Sequence, residues 1–295
     1  MNNVIIRPKS REEWLEHRKN GIGSSEVATI VGLNPWETPY QLWRRKLGLD
    51  PAKDETFAMK AGHYLEDAVA MFWHDETGRE IIKRSAGDWI IANKVRPYLQ
   101  VSPDRTYWLT GMAKNNSNKG ILECKTTQMK IDENDLPKHW FCQVQYQLGV
   151  AELEQGSLAW LCSGREFGYK DMELVPAFYG WLVEEVERFW TDNIIGKQEP
   201  TAQSVQDVLL KYNRHTDGKI VEVNDEVFEA YKDLKGLKDQ LAELEERKAT
   251  LEGKIKVAFG DAEAISYGGQ TLATWKAPKP SMKFDDKAFK AAHPD

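Results

Sequence analysis

The sequence predicts an α/β protein in which helices flank a mixed central sheet. Apolar residues recur at helical spacing before residue 80 and again after residue 137, and short β-forming runs lie between and after these segments. Strands and helices do not alternate strictly along the chain. A doubly wound dinucleotide-binding fold needs that alternation, so a mixed α/β core is favoured over it.

The N-terminal part is predicted to be helical. Ser10 and Glu13 have the spacing of a capping box that opens a helix, and Gly21 ends it. Either Ser24 or Ser25 is the expected N-cap of the next helix. Further helices are predicted over residues 39–47 and 60–77, and the second of these carries Glu66 near its start.

The middle of the chain is predicted to supply the sheet. Strand-like runs cover residues 81–85, 88–92, 99–102 and 156–162, and an Asn-rich turn at 110–119 closes a hairpin. Helices are predicted from Pro137 onward and over residues 176–193. The predicted helices would pack on both sides of the mixed sheet.

The character of the chain changes after residue 200, so we predict a core over 1–200 and an accessory region over 201–295. A long charged helix at 224–259 carries an a/d heptad stripe: Leu234, Leu237, Leu241, Leu244, Leu251, Ile255 and Ala258. The stripe is equally typical of a coiled-coil arm and of a helix packed on the core or on its own hairpin. A small hairpin at 264–275 and a basic, Pro-containing tail at 276–290 follow. The end at His293-Pro-Asp295 lacks a helix-ending signal, which leaves truncation open.

Composition restricts the class of protein. A chain of 295 residues with a formal net charge of −6 does not coat DNA through its overall field, so any DNA-binding track must depend on local cations. The sequence contains no long apolar run and no secretory signal, which predicts a cytoplasmic protein. Cys124, Cys142 and Cys162 lack metal-cluster spacing and are expected to be reduced thiols.

The most informative pattern is Pro103-Asp104 followed by Glu123-Cys124-Lys125. Side chains alternate along a strand, so Glu123 and Lys125 share one face while Cys124 points to the other. Two carboxylates on neighbouring strands can bind divalent cations through oxygen. A solvated charge pair on an ordinary hairpin would also produce this pattern. Choosing between that pair and a metal site requires the other motifs of the chain.

Three further polar clusters accompany that pattern. They are Arg18 with Gly21–Glu26, the Gly-His-Tyr-Leu-Glu segment at 62–66, and the Gln-Val-Gln-Tyr-Gln segment at 143–147. In this order, the four blocks resemble the lambda exonuclease and YqaJ-type viral recombinase family of Pro-Asp/Glu-x-Lys nucleases, over roughly residues 10–195. The resemblance implies a restriction-endonuclease-like core and a metal-dependent exonuclease that degrades one strand of linear duplex DNA from its 5′ end.

The resemblance also implies roles for individual residues. Metal ligands are expected at Glu66, Asp104, Glu123 and the Cys124 backbone carbonyl, with two Mg²⁺ ions, or Mn²⁺ in their place. Lys125 would orient or deprotonate the attacking water, and Gln143 would hydrogen-bond within the cluster. Arg18 and Ser25 would bind the terminal 5′ phosphate. Expected partners are double-stranded DNA ends, a single-strand annealing protein and further copies of the chain in a ring trimer.

Simpler interpretations stay open for several of these residues. Arg18 has glutamates on its own helix and would form a surface salt bridge with one of them. Glu66 fits a first-turn glutamate favoured by the helix dipole, and Gln143 fits a solvated helix position. His63 and His74 are expected at or near the helix surface. The alternatives to the exonuclease are a related endonuclease or 3′-to-5′ nuclease, and a non-catalytic DNA-end-binding scaffold.

Overall fold

The structure is a computed structural model that describes residues 2–51, 56–82 and 89–275. The chain divides into two compact units, Met1–His215 and Thr216–Asp295. Residues 201–215 therefore lie in the first unit, and a separate accessory domain that begins at 201 stays a prediction. The predicted basic tail and most of the 81–85 strand lie outside the described residues.

Two sheets form the centre of the first unit. The strands are β1 Asn3–Ile6, β2 Ile90–Asn93, β3 Gln100–Val101, β4 Arg105–Trp108, β5 Lys119–Thr127, β6 Gln155–Cys162 and β7 Glu166–Glu173. A three-stranded antiparallel sheet has the order β1-β2-β3, and a four-stranded sheet has the order β4-β5-β6-β7. In the second sheet β5 and β6 run parallel and the other pairs antiparallel, which confirms the predicted mixed sheet.

Helices cover these sheets. They are α1 Arg11–Lys19, α2 Ser24–Ile30, α3 Pro39–Lys46, α4 Phe57–Thr77, α5 Lys138–Ala151, α6 Pro176–Arg188 and α7 Val205–Lys211, and α6 continues as a π-helix over Phe189–Ile195. No helix among residues 2–51, 56–82 and 89–275 is long and apolar enough to cross a bilayer.

The two faces of the four-stranded sheet have separate apolar cores. On one face Val69 and Trp73 of α4 pack against the buried Leu122 of β5. On the other face Leu148 of α5 packs in a larger core that includes Ile121 and residues of α2, α3 and α6. Because β5 alternates, α4 covers its even-numbered side chains and α5 its odd-numbered ones. A site formed by the odd-numbered side chains of β5 therefore lies between the sheet and α5.

Several local predictions were wrong for identifiable reasons. Gly23, and not Ser24 or Ser25, is the N-cap of α2, because the Glu26 carboxylate accepts the Gly23 N–H at 2.8 Å. Thr56 caps α4 earlier than predicted, so Glu66 lies in the third turn instead of near the start. The end of the predicted 176–193 helix is π-helical over Phe189–Ile195. Strands β1 and β7 and helix α7 were not predicted. Their short or polar sequences give weak periodicity.

The second unit contains a long helix and a hairpin. Helix α8 spans Asp225–Phe259, and β8 Ala264–Tyr267 pairs antiparallel with β9 Gln270–Thr274. The hairpin touches the C-terminal end of α8, where the Trp275 and Phe259 rings meet edge to face at 5.7 Å. Most of the heptad stripe is about half exposed, as at Leu241. Pairing of this stripe in a coiled coil stays a prediction.

Candidate active site

The β4–β5 hairpin brings the first two predicted ligands together. Arg105 pairs with Leu122 in the antiparallel register, so Asp104, one residue earlier, lies level with Glu123. The Asp104 carboxylate (Oδ2) accepts the Cys124 backbone N–H at 2.7 Å. This bond ties the residue before β4 to the middle of β5, which is what the spacing of the two motif halves predicted.

Glu123 is the centre of a buried polar cluster. Its side chain is 3% exposed, and Oε1 accepts from Lys125 Nζ at 2.7 Å and from the Gln143 amide. Lys125 Nζ also donates to Gln143 Oε1 at 2.9 Å, so three residues hold one another in place. Gln147 Nε2 donates to the other carboxylate oxygen of Glu123 at 2.7 Å. Gln143 is thus not a solvated helix position.

The charges in this cluster perturb one another. Burial, followed by the charges of Glu123 and Glu66, raises the pKa of Asp104 well above its ordinary value. Burial alone would lower the pKa of Lys125, but the Glu123 and Asp104 carboxylates outweigh it and raise that pKa. Lys125 is accordingly an ammonium in this arrangement. The negative charges near Asp104 repel its ionised form, and a bound cation would remove that repulsion.

Helix α4 brings Glu66 to the edge of the cluster. The neighbouring Asp67 accepts a hydrogen bond from Arg105 on β4, which fastens the helix beside Asp104. Glu66 itself lies 3.0 Å from His63 Nδ1, so His63 is a neighbour of the site and not only a surface residue. The charge of Glu66 contributes to the raised pKa of Asp104.

The donor chemistry fits a hard divalent cation. Carboxylate and carbonyl oxygens are the ligands that Mg²⁺ and Mn²⁺ prefer. Cys124 can offer only its backbone, because its buried thiol has a pKa raised well above its ordinary value and stays protonated. Within the described parts of the chain, no three His, Cys, Asp or Glu side chains lie close enough together to hold a metal. Glu66 is directed towards His63 instead.

Arg18 and Ser25 meet where α1 ends and α2 begins. Arg18 Nη2 donates to Ser25 Oγ at 3.3 Å and lies 3.9 Å from Glu26. The nearby glutamates of α1 have other partners: Glu13 contacts the Lys9 N–H and His17, and Glu16 contacts Lys19. A helix-face salt bridge therefore does not explain Arg18.

Sequence reasoning missed the charge cluster beneath this pair. The buried Glu26 carboxylate accepts from Lys46 at 2.8 Å and from Arg45 at 3.0 Å. Burial would raise the pKa of Glu26, but Lys46, Arg18 and Arg45 outweigh it and lower that pKa to about 2. Three cations thus surround this carboxylate, and Glu37 pairs with one of them, Arg45, at 2.9 Å. The excess positive charge next to Ser25 suits an anion such as a phosphate.

The Arg18 guanidinium lies against Gly23, in space that a side chain would otherwise fill. A Cβ added at Gly23 would lie 2.3 Å from the guanidinium carbon of Arg18, well inside van der Waals contact. The backbone of Gly23 is extended, at φ −84°, so the glycine is not needed for its conformation. The missing side chain is what allows Arg18 to lie across the start of α2.

A cavity of about 240 Å³ joins the two groups of residues. Ser25 lines it on the side of the Arg18–Ser25 pair, and Lys125 and Gln143 line it on the side of the carboxylates. We call this space the Ser25–Lys125 cavity. A molecule in it would contact Ser25 on one side and Lys125 and Gln143 on the other.

The chain is similar to several known proteins. Residues 13–154 match the YqaJ-like viral recombinase domain. Protein YqaJ of Bacillus subtilis (strain 168) is 31% identical over 297 residues, which cover 97% of this chain and 89% of that protein. Among solved structures, the alkaline exonuclease LHK-Exo of Laribacter hongkongensis has a TM-score of 0.47 and 16% identity, covering 68% of this chain and 97% of that one. A phage-related exonuclease from Haemophilus somnus 129PT has a TM-score of 0.41 and 10% identity, covering 60% and 96%. The extent of the match to YqaJ places this chain in the family of YqaJ-like viral recombinase domains.

Proposed function

We propose that this protein is a metal-dependent 5′-to-3′ exonuclease on linear double-stranded DNA, which leaves 3′ single-stranded tails for recombination by strand annealing. The Ser25–Lys125 cavity is the observation that supports it. Because Ser25 and Lys125 line the same small space, a 5′ phosphate at Arg18 and Ser25 places a nearby phosphodiester beside the carboxylates. An enzyme that cuts within a strand does not need a 5′-phosphate site next to its catalytic residues.

Each residue of the site then has a chemical role. Asp104, Glu123 and the Cys124 carbonyl hold a divalent cation, and Glu66 contributes to a second one. When bound, such cations stabilise charge on the phosphate and lower the pKa of water. Lys125 orients the attacking water as an ammonium or, once bound cations lower its pKa and it is neutral, accepts a proton from that water. Gln143 keeps Lys125 Nζ in position through the 2.9 Å hydrogen bond.

The wider architecture belongs to the same proposal. The core is restriction-endonuclease-like, with the β4–β5 hairpin carrying Asp104 and Glu123 and helix α5 connecting β5 to its parallel neighbour β6. By resemblance to the family, the chain assembles into a ring trimer around DNA and works with a single-strand annealing protein. The exposed stripe of α8 offers a surface for one of these contacts.

Digestion of end-labelled duplex DNA tests the proposal. Each strand is labelled separately and carries either a 5′ phosphate or a 5′ hydroxyl, with and without Mg²⁺. We expect Mg²⁺-dependent loss of 5′-ended strands, faster with phosphate and absent in Lys125→Ala. Lys130→Ala, at an 83% exposed lysine on the loop after β5, is the matched control and should digest as the wild type does.

Other outcomes separate the alternatives. Equal digestion of phosphate and hydroxyl ends would favour an endonuclease or a 3′-to-5′ enzyme with the same metal cluster. Binding of DNA ends without cleavage in Mg²⁺ or Mn²⁺ would favour a scaffold and would refute the enzyme.

Substitution of Gly23 tests the phosphate pair. In Gly23→Ala the new methyl group displaces the Arg18 guanidinium, so the preference for 5′-phosphorylated over 5′-hydroxyl ends should fall by roughly tenfold, the effect of losing a hydrogen bond to a charged group. The ratio of initial digestion rates on the two substrates measures this effect.

Gly180→Ala is the control for Gly23→Ala. A Cβ at Gly180 on α6 would have open space around it, so this variant should keep the wild-type preference. An unchanged preference in Gly23→Ala as well would show that Arg18 does not select the phosphate.

A further inference from the structure

The Ser25–Lys125 cavity has an aromatic wall to which the proposed chemistry assigns no role. Trp36, His139 and Trp140 line it together with Ser25, Lys125 and Gln143. At about 240 Å³ it is smaller than the roughly 300–1,000 Å³ of pockets that enclose drug-sized ligands, so it can receive part of one nucleotide, such as its base, and not a duplex.

Trp36 is the most unusual member of this wall. Its side chain is 72% exposed although the cavity lies beside it. The surrounding loop is held in place, because Asn34 Oδ1 accepts the Trp36 N–H at 3.0 Å and Asn34 Nδ2 donates to Thr29 Oγ1 at 2.7 Å. An exposed indole on an ordered loop loses little conformational freedom when a flat ring stacks on it.

His139 forms an edge-to-face contact with Trp36, with ring centroids 4.9 Å apart. That contact covers at most one face of the indole and leaves the other open. His139 therefore holds the Trp36 ring from one side.

We infer that Trp36 binds the base of the 5′-terminal nucleotide, which stacks on the open face of its indole. The position in the strand follows from the cavity, since the nucleotide between the Arg18–Ser25 pair and Lys125 is the terminal one. A base in this place is unpaired from the complementary strand. The inference rests on the proposed function, because it names the part of the DNA substrate that this cavity receives.

A binding cycle tests the inference without any cleavage step. Wild-type protein and Trp36→Ala are titrated in EDTA with 5′-phosphorylated duplex DNA whose 5′-terminal nucleotide is either intact or abasic. Loss of one base–aromatic stack should weaken binding of intact DNA to Trp36→Ala by roughly 5- to 100-fold. Wild-type protein should bind the abasic DNA as weakly as Trp36→Ala binds the intact DNA. On the abasic DNA, Trp36→Ala should cause no further loss of affinity.

The controls fix the interpretation of this cycle. Trp36→Tyr keeps an aromatic face and should restore most of the affinity for intact DNA. An equal effect of Trp36→Ala on intact and abasic DNA would overturn the inference. Failure of the proposed function looks different: DNA would not be digested in Mg²⁺ even if the cycle showed coupling between Trp36 and the terminal base.

Discussion

Glu123→Gln is expected to abolish cleavage of DNA ends. The amide keeps the shape and one acceptor oxygen, but it removes the charge that raises the pKa of Lys125 and that would hold a cation. Loss of a preorganised charge-stabilising group lowers kcat by roughly 10²–10³-fold, and loss of a metal ligand adds to this. The initial rate of release of labelled nucleotides in Mg²⁺ measures the effect.

The control for this variant is a carboxylate outside the cluster. Glu166 lies on β7 and is exposed, with its side chain 3.9 Å from Lys130, so Glu166→Gln should digest DNA at the wild-type rate. Binding of 5′-phosphorylated ends in EDTA should survive Glu123→Gln, because Arg18 and Ser25 are unchanged. Wild-type cleavage by Glu123→Gln would remove Glu123 from the mechanism.

The part of the site formed by the hairpin could be predicted because local rules determine it. Strand alternation places Glu123 and Lys125 on one face, and antiparallel pairing after a turn brings Asp104 level with Glu123. Gln147 was overlooked although its signal was present. Residues 143 and 147 are four apart on a helix and so share a face, whereas Gln145 points away and donates to the Glu173 carbonyl.

The cluster around Glu26 could not be predicted in the same way. Arg45 and Lys46 end a helix, where cations are common because they favour the helix dipole. Only the packing of α3 against α2 turns both towards Glu26, and this contact joins residues about 20 positions apart. Local patterns carry no information on such a contact. The wall formed by Trp36 and His139 depends on tertiary packing for the same reason.

Stability towards acid should depend on Glu26 more than on an ordinary surface carboxylate. Its folded pKa of about 2 lies below the ordinary value of 4.5, so it stabilises the fold fully above about pH 5 and loses this contribution as the pH falls towards 2. The difference corresponds to about 3 kcal/mol of free energy of unfolding. Urea denaturation at a series of pH values from 7 to 2 measures it.

In Glu26→Gln this acid-dependent contribution should be missing, and the protein should be about 3 kcal/mol less stable at pH 7, because the variant leaves Lys46 buried at 3% exposure without its counter-charge. Glu16→Gln is the matched control. Its carboxylate is 64% exposed and paired only with Lys19, so it should change stability by less than about 1 kcal/mol. If both variants showed the same pH dependence as the wild type, the three cations would not be held by Glu26. Arg18 would then need another support to stay beside Ser25.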